Sequence, residues 1–270
     1  ILAEARSILD KASTTLPAYS GVCKLCHWYN ACLRRLGDDD DLTLIPELGR
    51  SKRDAFIGKI PTIRSLAEAD LSEFIKGKKT IFPGIGPATL YKFYARAKLI
   101  AAGNGARPYL REPICLPEGG TELYFDIEVD PMRDICYLHG FVERRNGENN
   151  TEKFVSFFAD DPTEQSEKAA FRSAIGYMLD SQPCTIYYYS KYERTIYRKL
   201  LEKYPDVCTD AELESLFDPA VSVDLYFDVV LKFSEWPTRD YSIKTLAQYL
   251  GFSWRDKHPS GAASIEWFHR

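Results

Sequence analysis

The sequence lacks any long apolar run, carries no net positive charge, and has only seven cysteines, four histidines and two methionines. No apolar stretch approaches the roughly 20 residues that a membrane helix needs, and no secretory signal pattern is present. We therefore expect no membrane association. An odd number of cysteines, three of them clustered, is not typical of a disulfide framework and favours a reducing cytoplasm.

The chain also lacks an initiator Met and opens at Ile1 directly in a helical pattern, so we expect a fragment of a longer protein. No repeat of solenoid period is evident. What is present is a composition of 45 % hydrophobic and 13 % aromatic residues, which is ample for packed cores. The length predicts one to three domains.

Charge is distributed unevenly along the chain. Residues 43–111 hold 13 Lys and Arg against 5 Asp and Glu, a local charge of +8 within a chain whose net charge is −4. The remainder therefore carries −12. A basic block between acidic flanks indicates an anionic partner for that block alone.

Residues 123–130 contain an acidic pair, Asp126 and Glu128, inside an apolar, aromatic-rich run that is typical of a buried strand. A strand sends alternate side chains to one face, so the two carboxylates should project together, away from Phe125 and Ile127. Because adjacent carboxylates repel each other and are costly to desolvate, the pair predicts a Mg²⁺ or Mn²⁺ site for phosphodiester hydrolysis. The alternative is an edge strand with a wet face.

The organisation changes along the chain. We expect a first segment at 1–41, a region of short helices separated by Gly and Pro turns at 42–105, a linker at 106–120 and an α/β domain at 121–270. This order resembles an RNase H-like mixed sheet with helices, preceded by a small all-α region. The elements predicted in the last domain are strands at 123–129, 135–143, 153–159 and 185–189, helices at 162–179, 193–203 and 242–250, and a strand or helix start at 221–227.

A glycine-rich turn at residues 84–86 is the sharpest motif in the first half. Small residues between two helices permit a tight turn and a close approach of the backbone to a ligand. The unpaired amides at the start of the next helix favour a phosphate, and Lys92, Arg96 and Lys98 on that helix add charge. The residues expected to bind phosphate here are Gly84, Ile85, Gly86, Thr89 and Lys92.

Residues 45–53 look like a degenerate second copy, with Leu48 where a glycine is expected and with Gly49 and Lys52 as phosphate contacts. Residues 60–66, between the two copies, match a short connecting helix. Together these segments resemble the helix-hairpin-helix motifs of DNA repair and recombination proteins. The resemblance implies sequence-independent, salt-sensitive backbone contacts, and a plain helical turn is the alternative.

Cys23, Cys26 and Cys32 form a C-x2-C-x5-C cluster. Three thiolates hold iron or Zn²⁺ only with a fourth ligand, and His27 is poorly placed to share a tetrahedral site with Cys26. The spacing resembles the C-terminal cysteine cluster of iron–sulfur RecB-like nucleases, whose fourth cysteine lies far upstream. The resemblance implies a 4Fe–4S cluster, with Zn²⁺ as the alternative and the fourth ligand outside this chain.

Two further acids follow short apolar runs. Glu193 lies on the first turn of the helix after the strand at 185–189, where the helix N-terminus favours its ionised form and where it could face the Asp126/Glu128 pair. A routine N-terminal Glu is the alternative. Asp224 lies in the apolar run at 221–227 and is favoured there over Asp228 because its neighbours are more strand-like.

With these segments in place, residues 121–270 resemble the DEDD exonuclease-like branch of the RNase H-like superfamily, specifically its YprB-type domain. The matching motifs are Tyr-Phe-Asp126-Ile-Glu128, Tyr-Tyr-Ser190-Lys-Tyr192-Glu193, Val-Asp224-Leu and residues 241–252. The whole chain is similar to bacterial RecB-like nucleases in which a cysteine cluster, helix-hairpin-helix motifs and an RNase H-like domain follow in that order.

The resemblance implies a 3′–5′ exonuclease-like enzyme that hydrolyses DNA with two metal ions, in repair, recombination or defence, beside a helicase or another recombination protein. RNA is the alternative substrate. Asp126, Glu128 and Asp224 would bind the metals, and Glu193 stands where an Asp is usual. The last acid is expected in a helix beyond residues 264–267, so the catalytic set is incomplete, and Glu266 precedes that helix.

Other residues are weaker candidates for contacts with nucleic acid. An aromatic among residues 187–189 could stack on a base, although aromatics in a strand are more often core, and Ser242 and Lys244 could contact a phosphate. The runner-up function is a non-catalytic nucleic-acid-binding module on an RNase H-like scaffold, and a third class is a structural adaptor that recruits a helicase.

Overall fold

The computed structural model describes residues 2–12, 15–117, 120–255 and 260–270. Contacts divide the chain into two units, one formed by Ile1–Tyr109 with Glu235–Tyr249 and the other by Leu110–Ser234 with Leu250–Arg270. The helices described are α1 (Leu2–Leu9), α2 (Tyr29–Asp38), α3 (Gly49–Phe56), α4 (Ile63–Ala67), α5 (Pro87–Ala101), α6 (Glu164–Asp180), α7 (Tyr192–Lys203), α8 (Asp210–Leu216), α9 (Ile243–Tyr249) and α10 (Gly261–Phe268).

The strands described are β1 (Ile75–Lys76), β2 (Lys79–Thr80), β3 (Tyr109–Leu110), β4 (Thr121–Asp130), β5 (Ile135–Arg145), β6 (Glu148–Phe158), β7 (Thr185–Tyr188), β8 (Ser222–Asp224) and β9 (Ser234–Glu235). Short 3₁₀ segments lie at Gly21–Leu25, Leu42–Leu44, Leu71–Phe74 and Gly103–Gly105, and a π-helix lies at Leu225–Leu231.

The described residues of the first unit are mainly helical, and the short strands β1 and β2, of two residues each, form a hairpin among them. Its core is an apolar cluster contributed by α3, α4, α5 and the loops between them, including Phe56, Leu66 and Phe93. Helix α4 begins at a reciprocal cap, in which the Thr62 hydroxyl accepts the Ser65 amide while the Ser65 hydroxyl accepts the Thr62 amide. The expected helical region with Gly and Pro turns is therefore present.

Arg96 occupies the interior of this unit and is completely buried. Its guanidinium donates to Glu235 Oε2 at 2.7 Å, to Glu47 Oε2 at 2.7 Å and to the Pro46 carbonyl at 2.9 Å. The expectation that Arg96 adds charge to the helix surface is wrong, because these carboxylates neutralise it inside the protein. These contacts also explain why Glu235–Tyr249 groups with the N-terminal residues, although the expected domain limits placed that segment in residues 121–270.

The second unit contains a five-stranded sheet of order β6-β5-β4-β7-β8. Strands β4, β5 and β6 form the antiparallel meander expected from the sequence, and β4 pairs in parallel with β7, which pairs in parallel with β8. Helix α6 connects the meander to β7, as a crossover between parallel strands requires. The expected RNase H-like order of a mixed sheet with helices is confirmed.

The segment at 221–227, whose type the sequence left open, divides into two elements. Ser222–Asp224 forms the edge strand β8, and the chain then enters the π-helix Leu225–Leu231. Asp224 ends the strand and caps this helix, since its carboxylate accepts the amides of Tyr226 and Phe227 at 3.0 and 3.1 Å. A single acidic residue thus fixes the point at which strand β8 ends and the π-helix begins.

The sheet buries an imidazole. His139 on β5 is fully buried, and its Nδ1 lies 2.9 Å from the Tyr197 hydroxyl on α7. Burial lowers the pKa of His139 to about 3. The folded protein therefore keeps this ring neutral at pH values at which an unfolded chain would protonate it.

This burial predicts a specific acid sensitivity. An unfolded His takes up a proton below about pH 6.5 whereas folded His139 does not, so its contribution to stability is present above that pH and is lost as the pH falls toward 3. From pH 7 to pH 5.5 the wild type should lose about 1 kcal/mol of unfolding free energy more than His139→Gln loses. Urea denaturation at both pH values measures the difference. The same substitution at exposed His27 should not alter the pH dependence, and identical pH dependence in wild type and His139→Gln would contradict the interpretation.

Candidate active site

Strand β4 has one apolar face and one polar face. Phe125 and Ile127 are buried in the core, whereas Asp126 is exposed and Glu128 is half-buried on the opposite face. The predicted alternation is therefore present, with both carboxylates on the same face. The pairing of β4 with β5 shifts register between Glu128 and Val129, so a bulge lies directly after the acidic pair, as is common beside active sites.

The parallel strands bring two more acids toward this face. Tyr124 on β4 is level with Tyr187 on β7, and Tyr188 is level with Asp224 on β8. Because parallel strands all end at the same edge of a sheet, the end of β8 and the start of α7 lie at the edge that Asp126 approaches. Glu193 is on the first turn of α7.

Glu193 is almost completely buried, with 4 % of its surface exposed. Its pKa is raised to about 8, mainly by burial and to a smaller extent by the neighbouring carboxylates of Asp126 and Asp224, against a hydrogen bond from its own amide. Its Oε2 atom has no hydrogen-bond partner among the residues that the structure describes. Asp126 and Asp224 thus both lie close enough to Glu193 to disfavour its charged form.

Asp224 is held by backbone amides. Its Oδ1 accepts hydrogen bonds from the amides of Ser190 at 2.9 Å, Tyr226 at 3.0 Å and Phe227 at 3.1 Å. Ser190 lies between β7 and α7 and adopts a left-handed backbone with φ of 86°, which is costly for a residue with a side chain. This strained connection joins the strand carrying Tyr188 to the helix carrying Glu193.

Asp228, the competitor of Asp224 in the sequence, lies on the π-helix and is exposed. Its Oδ2 accepts the Asp224 amide at 3.2 Å, so it supports the backbone of the buried acid. Burial at the end of β8 and proximity to Glu193 favour Asp224 as the site residue.

Tyr192 is a further candidate site residue. It belongs to the motif that ends at Glu193, but the sequence assigned no role to it. Half of its surface is exposed, at 51 %. Burial of the rest raises the pKa of its phenol, and the charges of Glu128, Glu193 and Asp126 contribute in the same direction. A phenol beside all three acids can donate a hydrogen bond to an anionic ligand. Its position directly before Glu193, on the first turn of a helix, was the available signal.

Two of the three tyrosines among which a base-stacking residue was predicted are core residues, and the third, Tyr189, is half-buried. Tyr187 and Tyr188 are buried, and Tyr187 stacks on Tyr124 with ring centroids 5.0 Å apart. The idea that either of these two aromatics stacks on a base is therefore wrong, because strand β7 is enclosed on both faces. The Ser242 hydroxyl accepts the Thr245 amide at 3.4 Å at the start of α9, which matches the alternative of a helix cap, and it donates to the Asp240 carboxylate at 2.7 Å, while Lys244 is exposed.

Among the described residues, no group of three or more His, Cys, Asp and Glu side chains is placed so that it could hold a metal ion. Glu193 therefore interacts electrostatically with Asp126 and Asp224, but the predicted acids do not form a ready-made ligand set. Glu266, which lies on α10, is exposed and ion-paired with Arg270.

The cysteine trio is partly accessible. Cys23 and Cys32 are half-buried and Cys26 is exposed, and the Cys23 thiol contacts the Ala18 carbonyl at 3.7 Å. Within the part of the chain that the structure describes, these three cysteines are not themselves grouped so that they could hold a metal ion, so the residues present do not fit a four-ligand cluster. The iron–sulfur expectation stays a prediction.

Both predicted hairpin turns precede helices. Gly84 and Gly49 have left-handed φ angles of 72° and 67°, and α5 begins at Pro87 after Gly86 as its cap. Lys52 Nζ donates to the Glu47 carbonyl at 2.9 Å, and Lys92 Nζ lies 2.7 Å from the Glu47 carboxylate. Ile85 is buried, whereas Gly84 and Gly86 are exposed.

Comparison with known families agrees with the fold. The RNase_H superfamily model matches residues 123–270, which is more than half of the chain, so the chain belongs to the RNase H superfamily. No curated protein and no solved structure matches the chain. In the described residues, no helix has the length and apolar character to span a membrane.

The buried Glu193 predicts a measurable cost in the absence of cations. An unfolded Glu ionises near pH 4.5 while folded Glu193 keeps its proton up to about pH 8, so its contribution lowers stability progressively as the pH rises between those values. We therefore compare unfolding free energies at pH 5 and pH 7.5 with EDTA present. Between these pH values the wild type should lose more unfolding free energy than Glu193→Gln loses, by on the order of 1–3 kcal/mol. Urea denaturation measures this change.

Glu202→Gln is the matched control, because Glu202 is an exposed acid on the same helix. It should leave the pH dependence unchanged. If Glu193→Gln behaves like Glu202→Gln, the pKa of Glu193 is not raised in solution and the interpretation is wrong.

Proposed function

We propose that this chain acts as a metal-dependent nuclease whose RNase H-like unit hydrolyses phosphodiester bonds. The observation that carries the proposal is Glu193, a buried acid with an unpartnered oxygen beside the carboxylates of Asp126 and Asp224. Stability alone gives no reason to gather mutually repelling acids in a partly desolvated place. Membership of a superfamily whose nucleases usually use divalent cations supports the same conclusion.

The oxygen chemistry of the four acids fits a hard cation, and a bound ion would have to draw them closer together, since no three of them are placed to hold one here. Asp126, Glu128, Glu193 and Asp224 supply carboxylate oxygens, which Mg²⁺ and Mn²⁺ prefer, and the unpartnered Oε2 of Glu193 is a ligand atom without a competing bond among the described residues. Bound there, the cation would supply charge stabilisation at the scissile phosphate and lower the pKa of the attacking water.

The chain's own groups perform the remaining work. The exposed Asp126 faces solvent and can hold the ion where substrate arrives, while the three amides on Asp224 fix that carboxylate in place. The Oε2 atom of Glu193 is placed to accept a hydrogen bond from the attacking water. The Tyr192 hydroxyl, beside the acids and half-exposed, can donate to a non-bridging phosphate oxygen.

Asp126→Asn tests the catalytic assignment. The substitution keeps the size of the side chain but removes a charge that the cation needs, so cleavage should fall at least about a hundredfold while nucleic-acid binding is retained. Cleavage of end-labelled single- and double-stranded DNA, and of RNA of the same sequence, should be measured with Mg²⁺, with Mn²⁺ and with EDTA. The end that is shortened gives the polarity.

Asp160→Asn is the control, since Asp160 is an exposed acid of the same unit after β6. It should cleave like the wild type. Full activity in Asp126→Asn would place the chemistry elsewhere.

We also propose that the two hairpin turns of the first unit bind the nucleic-acid backbone. The exposed glycines Gly84 and Gly86 let a phosphate approach the amides at the start of α5, and Thr89 lies on its first turn. The hairpin turn that contains Gly49 and Lys52 is expected to bind phosphate more weakly, because Lys52 already donates a hydrogen bond to the Glu47 carbonyl. The order of motifs supports a RecB-like nuclease of DNA repair, recombination or defence, with a helicase as the partner.

One observation favours a second function, a nucleic-acid-binding module without catalysis. The described residues include no ready-made group of three metal ligands, and Asp224 Oδ1 already accepts three amide hydrogen bonds. If the wild type binds DNA and neither Mg²⁺ nor Mn²⁺ produces cleavage, this second function is correct.

A further inference from the structure

Positive charge is concentrated in one part of the first unit. From Ile75 to Ile100 the chain contains six Lys and Arg and no Asp or Glu. The two of these that lie nearest the middle of α5 are cancelled, since Arg96 is buried against Glu47 and Glu235, and Lys92 is paired with Glu47. Of the four that remain, Lys98 is exposed on α5 and the other three lie together before the glycine turn.

That charge is carried by the β1–β2 hairpin. Lys76, Lys78 and Lys79 are all exposed, and none of them forms an ion pair with another residue in the described part of the chain. The hairpin thus carries three ammonium groups within four consecutive positions, with Gly77 at the turn. Residues 50–53 hold as many basic residues, but Arg53 is buried there and paired with Asp41.

The strand pairing of the hairpin places two like charges opposite each other. Lys76 is directly opposite Lys79 in the register of β1 and β2. Like charges at directly opposite positions destabilise a strand pair, and a two-stranded hairpin is marginal by itself. The arrangement therefore costs stability in the free protein, and an anion that bridges the two ammonium groups would remove the cost.

The hairpin is fixed to the glycine turn at 84–86. The hydroxyl of Thr80, the last residue of β2, donates to the Ile85 carbonyl at 2.5 Å and accepts the Phe82 amide at 3.1 Å. The Ile81 amide donates to the Phe74 carbonyl at 2.9 Å, and the Phe74 and Phe82 rings pack with centroids 5.4 Å apart. Lys79 therefore lies beside a turn whose geometry is held by side-chain and backbone bonds.

We infer that the hairpin lysines Lys76, Lys78 and Lys79 form a binding surface for the phosphate backbone of nucleic acid. The charge complements a polyanion, and lysine ammonium groups bind phosphates as point charges without reading sequence. The inference rests on the proposed function only for the nature of the partner. It does not require the carboxylates of the other unit to be catalytic.

The test compares the Lys76→Ala/Lys78→Ala/Lys79→Ala triple variant with the wild type in the full chain, using a fluorescently labelled DNA duplex of arbitrary sequence. Removing three phosphate contacts should make the slope of log K against log salt shallower by about 2 to 3 and weaken binding roughly tenfold or more at 0.1 M salt. A second duplex of unrelated sequence should show the same loss. A single-stranded RNA probe shows whether the surface serves both nucleic acids.

Lys59→Ala/Lys153→Ala/Lys199→Ala is the matched control, because it removes the same charge from exposed positions outside the hairpin. It should change the salt slope less than the hairpin variant does. Thermal unfolding verifies the fold, and the melting temperature of the hairpin variant should be unchanged or raised because the opposed charges are gone. If that variant does not fold, Lys78→Glu at the turn gives the same test with one substitution and should weaken binding severalfold.

Equal affinity and equal salt slope in the wild type and the hairpin variants would overturn the inference. If Asp126→Asn has meanwhile lost metal-dependent cleavage, the proposed nuclease stands and only the lysine surface is rejected. Conversely, a weakened hairpin variant of a protein that never cleaves would uphold the surface and reject the nuclease.

Discussion

The burial of one carboxylate beside two others is the constraint on which the candidate site of the second unit depends. Glu193 is buried where Asp126 and Asp224 both act on it, and its pKa is raised to about 8 as a result of burial and of those charges. A strained left-handed Ser190 and three amides on Asp224 hold the acids there despite the cost. Proteins that keep such an arrangement usually recover the cost when a ligand binds.

The sheet could be predicted because its signals are local. Alternation of period two placed Asp126 and Glu128 on one face of β4, and turn residues separated the strands of the meander. The position of Glu193 follows from the same reasoning, since the chain leaves β7 and enters α7 at the sheet edge. Its burial does not follow, because burial depends on what packs around the first turn of α7, and no local pattern distinguishes it from an ordinary helix-start Glu.

Charge was the least predictable property of the site and of its surroundings. The basic block at 43–111 correctly located positive charge, yet Arg96 is neutralised by Glu47 and by Glu235, which lies 139 positions further along the chain. A sequence gives the sum of charges in a segment but not which of them meet distant partners. Tyr187 and Tyr188 illustrate the same limit for aromatics, since their strand is covered on both faces.

The return of Glu235–Tyr249 to the first unit has a consequence for dividing this protein. The family match spans residues 123–270, but Glu235 is buried against Arg96, and the Tyr241 hydroxyl donates to the same Glu235 carboxylate at 2.8 Å. A polypeptide cut at the apparent linker would keep Glu235 but lose Arg96, so the ion pair that this segment makes with the N-terminal residues would be broken. Homology boundaries and folding boundaries therefore differ here, because residues 235–249 lie inside the family match but group with the N-terminal residues.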